Sequence, residues 1–198
     1  MLRKDKFRSP KGALFLDRDG VIISDKHHIC KPEEVELCEG IEELLEKTLE
    51  ESVPVVVVTN QSGITRGYFD WNDYINITKT MLYLLEKNAK TIVAIYANGY
   101  GPNSGFQSWR KPNSGMIDQA IFDYNIDPNR SVMIGDKMTD MKAAIGARIR
   151  KMILVSSSSD EITKAKYQCN RQDHKIELHS SLKEVDKDRL VSYLSGLI

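Results

Sequence analysis

The chain has 198 residues, 41% hydrophobic and 28% charged, a soluble globular composition long enough to bury a sizeable core. Lys plus Arg and Asp plus Glu number 28 each, so the chain lacks the basic surplus that marks a nucleic-acid or anionic-membrane surface. Three cysteines (Cys30, Cys38, Cys169) with no CxxC pair argue against a disulfide framework or a four-cysteine zinc site, and fit a reducing, cytoplasmic setting.

The first eleven residues are basic (Arg3, Lys4, Lys6, Arg8, Lys11) and lack the apolar stretch of a signal peptide, so they read as a flexible arm on one domain spanning 1–198. No apolar run approaches the roughly 20 residues of a membrane-spanning helix. Gly12 to Asp17 is a short apolar run ending in charges, as expected of a strand buried on both faces. Gly40 to Glu51 reads as a helix, with Ile41, Leu44, Leu45 and Leu49 forming an apolar stripe. Val53 to Thr59, with an unbroken β-branched run, is a central parallel strand. Asp70 to Lys90 is a second helix, N-capped by Asp70 and presenting Ile77, Met81, Leu84 and Leu85. A strand at Thr91–Tyr96, a helix at Ser114–Tyr124, a strand at Ser131–Ile134, a helix at Met138–Ala147 and a strand at Lys151–Val155 follow. The serine run Ser156–Ser159 and the polar stretch after it read as solvated loop, before a weak strand near Ile176 and a closing helix. Alternating strand and helix predict an α/β, three-layer Rossmann-like parallel sheet with helices on both faces.

Polar residues interrupt this pattern at the strand ends: Asp17-Arg18-Asp19-Gly20, Thr59-Asn60-Gln61 and Gly135-Asp136-Lys137, with Arg110-Lys111-Pro112 before the third helix. In a parallel sheet these clusters meet at one edge, where ligands bind. Asp17 and Asp19, one residue apart, point the same way if extended backbone persists, and Gly20 allows a sharp turn. Adjacent ionised carboxylates call for a metal or a shared proton. With Asp136 they form a hard oxygen site of the kind Mg²⁺ occupies, and Lys111 and Lys137 balance the remaining charge.

The ordered set Asp-Arg-Asp-Gly, strand-end Thr59, Lys111 and Gly135-Asp136-Lys137-Met138-Thr139-Asp140 resembles the haloacid dehalogenase-like phosphatases. Thr59-Asn60-Gln61-Ser62-Gly63-Ile64-Thr65-Arg66-Gly67-Tyr68-Phe69, Arg110-Lys111-Pro112 and Gly115-Met116 bring it nearest to the D-glycero-D-manno-heptose 1,7-bisphosphate phosphatases and the related histidinol-phosphate phosphatases, over about residues 13 to 150. The resemblance implies that Asp17 is the nucleophile that becomes an aspartyl phosphate, and that Asp19 is the general acid and base. It implies Mg²⁺ on the Asp17 and Asp136 carboxylates and the Asp19 backbone carbonyl, with Thr59 and Lys111 on the transferring oxygens. It places substrate contacts on Arg18, Asp25, His28, Asn60, Gln61, Ser62, Arg110 and Lys137, and leaves Asp140 to orient neighbours or cap a helix.

Two departures stand out. Many heptose-bisphosphate phosphatases carry a Cys- and His-rich zinc loop before Arg-Lys-Pro, whereas residues 97–109 here hold neither residue type, so structural zinc is expected to be absent. Ile23 stands where the family favours Asn. Short connections leave no room for a large cap domain, so an open cleft is expected, closed over a small phosphorylated sugar by the 100–109 and 25–28 loops. A monomer that binds no nucleic acid and no membrane is expected. Histidinol phosphate is the alternative substrate, a 3′-phosphorylated nucleic acid the third, and a catalytically silent sugar-phosphate binder the alternative of another class.

Overall fold

The computed structural model describes residues 7, 9–26, 29–102, 109–169 and 175–196. Six strands form one sheet: β1 (Leu14–Leu16), β2 (Val55–Asn60), β3 (Ile92–Asn98), β4 (Val132–Gly135), β5 (Lys151–Val155) and β6 (Lys175–His179). Their order is β3-β2-β1-β4-β5-β6, and every neighbouring pair is parallel. Leu14, Phe15 and Leu16 pair with Val55, Val56 and Val57 on one side and with Val132, Met133 and Ile134 on the other. This register brings the residues following β1, β2 and β4 to one edge. The chain moves outward from β1 through β2 to β3 and then returns to place β4 against the other side of β1. The switch in direction therefore lies between β1 and β4, where open α/β sheets bind ligands.

Alternation along the strands divides the core into two layers. Leu14, Leu16, Val55, Val57, Val132 and Ile134 pack with side chains of α1 (Ile41–Glu50), α2 (Trp71–Leu84) and α6 (Lys187–Ser195). Phe15, Val56, Val58 and Met133 pack on the opposite face with α3 (Gly115–Tyr124), α4 (Met138–Gly146) and α5 (Ser159–Cys169). The result is the expected three-layer α/β architecture. Burying each large aliphatic side chain contributes roughly 1.5–3 kcal/mol, so the strand tips that carry the polar clusters rest on a firm base.

The elements differ from the sequence reading in two places. The helix expected to reach Lys90 ends at Leu84, and a 3-10 segment, Glu86–Thr91, takes over. There Asn88 donates to the Glu42 carbonyl, and Leu85 and Thr91 are buried, so tertiary contacts override the helical period. The polar stretch read as loop contains α5. Ala165 is its one fully buried hydrophobic residue among those described, so there was no apolar stripe to announce it. The α2 cap is as expected, with Asp70 accepting from the amides of Asn72 (2.7 Å) and Asp73 (2.9 Å). Between β1 and β2 lie only a 3-10 turn, Pro32–Glu34, and α1, so no cap domain is inserted there. No helix among the described residues is long and apolar enough to cross a membrane.

Candidate active site

Asp17 is the first residue beyond β1, its amide still donating to the Ile134 carbonyl at 3.0 Å. Its Oδ1 accepts from the Arg18 amide at 2.7 Å and pairs with Lys111 Nζ at 2.9 Å. Both partners converge on one oxygen, which leaves Oδ2 facing the cleft. Lys111 is buried, and its ammonium also meets Asp140 Oδ1 at 2.6 Å and the Val58 carbonyl at 2.8 Å. The Val58 carbonyl accepts a hydrogen bond from the ammonium, and the two carboxylates hold it as ion pairs. Asn60 secures the backbone of Lys111 from both sides, accepting from its amide (3.1 Å) and donating to its carbonyl (2.9 Å). Burial pushes the Asp17 carboxyl above its ordinary range, opposed chiefly by Lys111. Burial pulls Lys111 down, but Asp140 and Asp17 outweigh it and hold the ammonium above its usual value.

Asp136 follows β4. Its Oδ2 pairs with Lys137 Nζ at 3.0 Å, while Oδ1 is buried with no hydrogen-bond partner. Burial, then the charges of Asp17 and Asp140, raise this carboxyl to about 7. Lys137 also reaches Asp25 at 3.1 Å; burial would lower its pKa, but the two carboxylates more than offset that. Asp140 accepts from the Lys137 amide at 3.0 Å and thereby caps α4. Gly20 turns the chain at φ +83°, and a Cβ there would lie 2.8 Å from Asp136 Oδ2. Gly20→Ala should therefore cost about 1–2 kcal/mol for the left-handed backbone alone and displace Asp136 besides. Urea denaturation checks this, with a lowered midpoint and an unchanged slope expected.

Asp19 lies beyond β1, which ends at Leu16, in an isolated bridge with Ile23, and Asp17 is grouped with Asp136 and Asp140 rather than with it. The Asp19 carboxylate is held by Arg18 and by Gln61 Nε2 (2.8 Å), which also donates to Thr59 Oγ1 at 2.8 Å. Gly20 donates to the Ile23 carbonyl and Ile23 to the Arg18 carbonyl, so the Asp19 peptide groups lie outside this pairing. Thr59 is fully buried beneath Gln61 and does not line the cleft.

The cleft, about 310 Å³, is lined by Asp17, Asp19, Asp25, Arg110, Lys111 and Lys137, among others. Arg18, Asn60, Gln61 and Ser62 also line it, whereas Asp136 does not and is grouped with Asp17 and Asp140 beside it; the other expected site residues converge, with three qualifications. Thr59 lies underneath, the Asn60 side chain is engaged with Lys111, and His28 lies outside the described residues. Most of the 100–109 loop is likewise outside them. Asp17 is only 7% exposed and lines the cleft. Arg110 stands at the rim and donates to the Tyr100 carbonyl at 2.9 Å; burial and then Arg66 depress its pKa. Two contributors escaped the sequence reading. The Tyr74 ring supports Arg18, and Glu161 accepts from the Met138 amide at the start of α4. Asp140, expected to orient neighbours or cap a helix, does cap α4, whereas Glu161 lies on the helix that went unread.

One oxygen from each of Asp17, Asp136 and Asp140 lies within 4.8 Å of the others, a group able to hold a metal ion. Asp140 Oδ2 accepts from the Lys137 amide, and its Oδ1 is ion-paired with Lys111 without a hydrogen bond, so Asp17 Oδ2 and the orphaned Asp136 Oδ1 are the least engaged donors. Such hard oxygens suit a small divalent cation. Four lining carboxylates (Asp17, Asp19, Asp25, Asp140) and the adjacent Asp136 stand against four cations (Arg18, Arg110, Lys111, Lys137), and a phosphate entering without a metal would bring further negative charge beside them.

The HAD-hydrolase-like family model matches residues 108–179, the stretch from before Lys111 to β6. A Campylobacter jejuni D-glycero-alpha-D-manno-heptose-1,7-bisphosphate 7-phosphatase is 38% identical over 149 residues, covering 75% of this chain and 85% of that relative. A D-glycero-beta-D-manno-heptose-1,7-bisphosphate 7-phosphatase from Haemophilus influenzae is 36% identical over 148 residues, covering 72% of this chain and 80% of the relative. Among solved structures, the D,D-heptose 1,7-bisphosphate phosphatase of B. bronchiseptica, complexed with magnesium and phosphate, superposes with a TM-score of 0.78 at 25% identity, covering 91% of this chain and 98% of that one. A nucleophile candidate fixed by a buried lysine at a strand-end switch point, in a chain this similar to such enzymes over most of its length, has one reading: the chain is a phosphatase and belongs to the haloacid dehalogenase-like family that these 7-phosphatases represent.

Proposed function

We propose that the chain, acting as one catalytic domain, is a Mg²⁺-dependent phosphomonoester hydrolase that removes the 7-phosphate of D-glycero-D-manno-heptose 1,7-bisphosphate through an aspartyl phosphate. The observation that carries the mechanism is Asp17, with Oδ1 fixed by Lys111 and Arg18 and Oδ2 free beside the orphaned Asp136 Oδ1. The substrate rests on the relatives, which carry that activity in their names. Bound by the Asp17 and Asp136 carboxylates and the Asp19 carbonyl, Mg²⁺ would neutralise phosphate charge against an anionic nucleophile.

The chain's own residues supply the rest. Asp17 Oδ2 attacks phosphorus, and the bond from phosphorus to the sugar oxygen breaks as Asp19 gives that oxygen a proton. Water then attacks the acyl phosphate, Asp19 takes its proton, and inorganic phosphate leaves with Asp17 restored. Lys111 holds a transferring oxygen, and Thr59 joins it once Gln61 yields its hydroxyl. Arg110 and Lys137, at the rim and flank, meet the remainder of the substrate.

Phosphate release is to be measured with both heptose 1,7-bisphosphate anomers, histidinol phosphate and a 3′-phosphorylated oligonucleotide. Release from the heptose with the 1-phosphate retained is expected. Release from histidinol phosphate alone would overturn the substrate, and release from none would overturn the function.

Proton linkage gives a further expectation. Asp136 titrates near 7, above its ordinary 3.8, so its contribution to metal-free stability is complete below about 3.8 and is lost as pH rises through about 7. A cation at Asp136 competes with that proton. Added Mg²⁺ should therefore raise the melting temperature more at pH 8 than at pH 6, by differential scanning fluorimetry. An equal rise at both values would contradict the assignment of Asp136.

A further inference from the structure

The geometry points to Arg18 as a positioning residue that aims the Asp19 carboxyl at the leaving oxygen, rather than as a ligand of the substrate. This rests on the phosphatase reading above and deepens it. An arginine between two catalytic aspartates invites assignment as a phosphate contact, yet Arg18, although it lines the cleft, commits two of its three guanidinium nitrogens to Asp19. Arg18 is 2% exposed, and its Nε and Nη2 reach the Asp19 oxygens at 2.9 to 3.3 Å. Nη2 also donates to Gln61 Oε1 at 3.0 Å, and Gln61 Nε2 returns to Asp19 Oδ2. The two side chains thus grip one carboxylate from two directions. Nη1 is buried with no hydrogen-bond partner, so Nε and Nη2 carry the grip on Asp19 and Gln61. Its carbon lies 5.3 Å from the Tyr74 ring centroid, and that aromatic face supports a desolvated cation.

Such support matters because Asp19 lies in a turn beyond β1, where the sheet does not orient its side chain. A planar fork holding both oxygens fixes the carboxyl plane, whereas an ammonium at the same place is a point charge and cannot. Small misplacements of a reacting group cost about 10²-fold in rate. The reacting step itself is unchanged: the phosphorus–oxygen bond breaks and the alkoxide takes the proton of Asp19.

The test exploits the leaving group. An alkoxide needs that proton, but p-nitrophenolate departs without it. For Arg18→Lys, kcat/KM on heptose 1,7-bisphosphate should fall by about 30-fold or more, and on p-nitrophenyl phosphate by less than about threefold. Tyr74→Leu should show a weaker version of the same split and Tyr74→Phe should restore it, which keeps the test decisive if Arg18→Lys fails to fold. Equal losses on both substrates would show a phosphate ligand or a packing residue and overturn the proposal, as would no loss on either. Asp19→Asn is the control. A split there without one in the Arg18 and Tyr74 variants defeats this inference alone, and no split in Asp19→Asn defeats the acid–base mechanism itself.

Discussion

Asp17→Asn should abolish phosphate release, lowering kcat by at least about 10⁴-fold, while folding stability changes by less than about 1 kcal/mol. An amide oxygen is not a competent nucleophile toward phosphorus. It still accepts hydrogen bonds, so the Arg18 amide and Lys111 keep a partner where Asp17 Oδ1 stood. The substitution also removes one of three crowded carboxylates, and burial and Asp140 already disfavour charge on Asp17. Loss of a favourable pair with Lys111 and relief of repulsion offset each other. Steady-state kinetics beside a urea titration checks both halves; a variant that is inactive because it is unfolded would not support the account.

Lys111→Ala should do more damage. It leaves Asp17 and Asp140 buried without their counter-ion and strips the Val58 carbonyl of its donor. Breaking a buried pair from one side costs about 3–5 kcal/mol, chiefly through the charge left behind. Removing a cation aimed at the transferring oxygens costs about 10²–10³ in kcat. The sign with pH follows. Without the ammonium that opposes its burial, the Asp17 carboxyl titrates higher still, so the variant's stability deficit against the parent should shrink as pH falls from 8 to 5, by urea midpoints. A deficit independent of pH would mean that Lys111 acts through packing and not through charge.

The strands were legible because a sheet covered on both faces demands unbroken apolar runs, which Val55 to Val58 and Leu14 to Leu16 supply. The same logic located the site, since polar residues directly after such runs can only sit at the sheet edge. Helix α5 was not legible, because it lies on the surface with only Ala165 fully buried and its remaining described positions partly or fully exposed. Within the site, sequence spacing named the residues but not their directions. Asp19 is held by Arg18 and Gln61 while Asp17 is grouped with Asp136 and Asp140, and Arg18 lies over the Tyr74 ring of α2, a contact between segments more than fifty positions apart. Asn60 and Gln61 were read as substrate contacts, whereas their side chains brace Lys111 and Asp19. Those pairings depend on the fold as a whole, and local pattern carries no trace of them.

The central claim is that Asp17 carries the phosphoryl group. Borohydride added during turnover with Mg²⁺ and heptose 1,7-bisphosphate reduces an acyl phosphate to an alcohol, and peptide mass spectrometry then locates the modified residue. The account predicts reduction at Asp17 alone, and only when substrate is present. Sustained turnover with Asp17 unmodified, or reduction at another carboxylate, would contradict it.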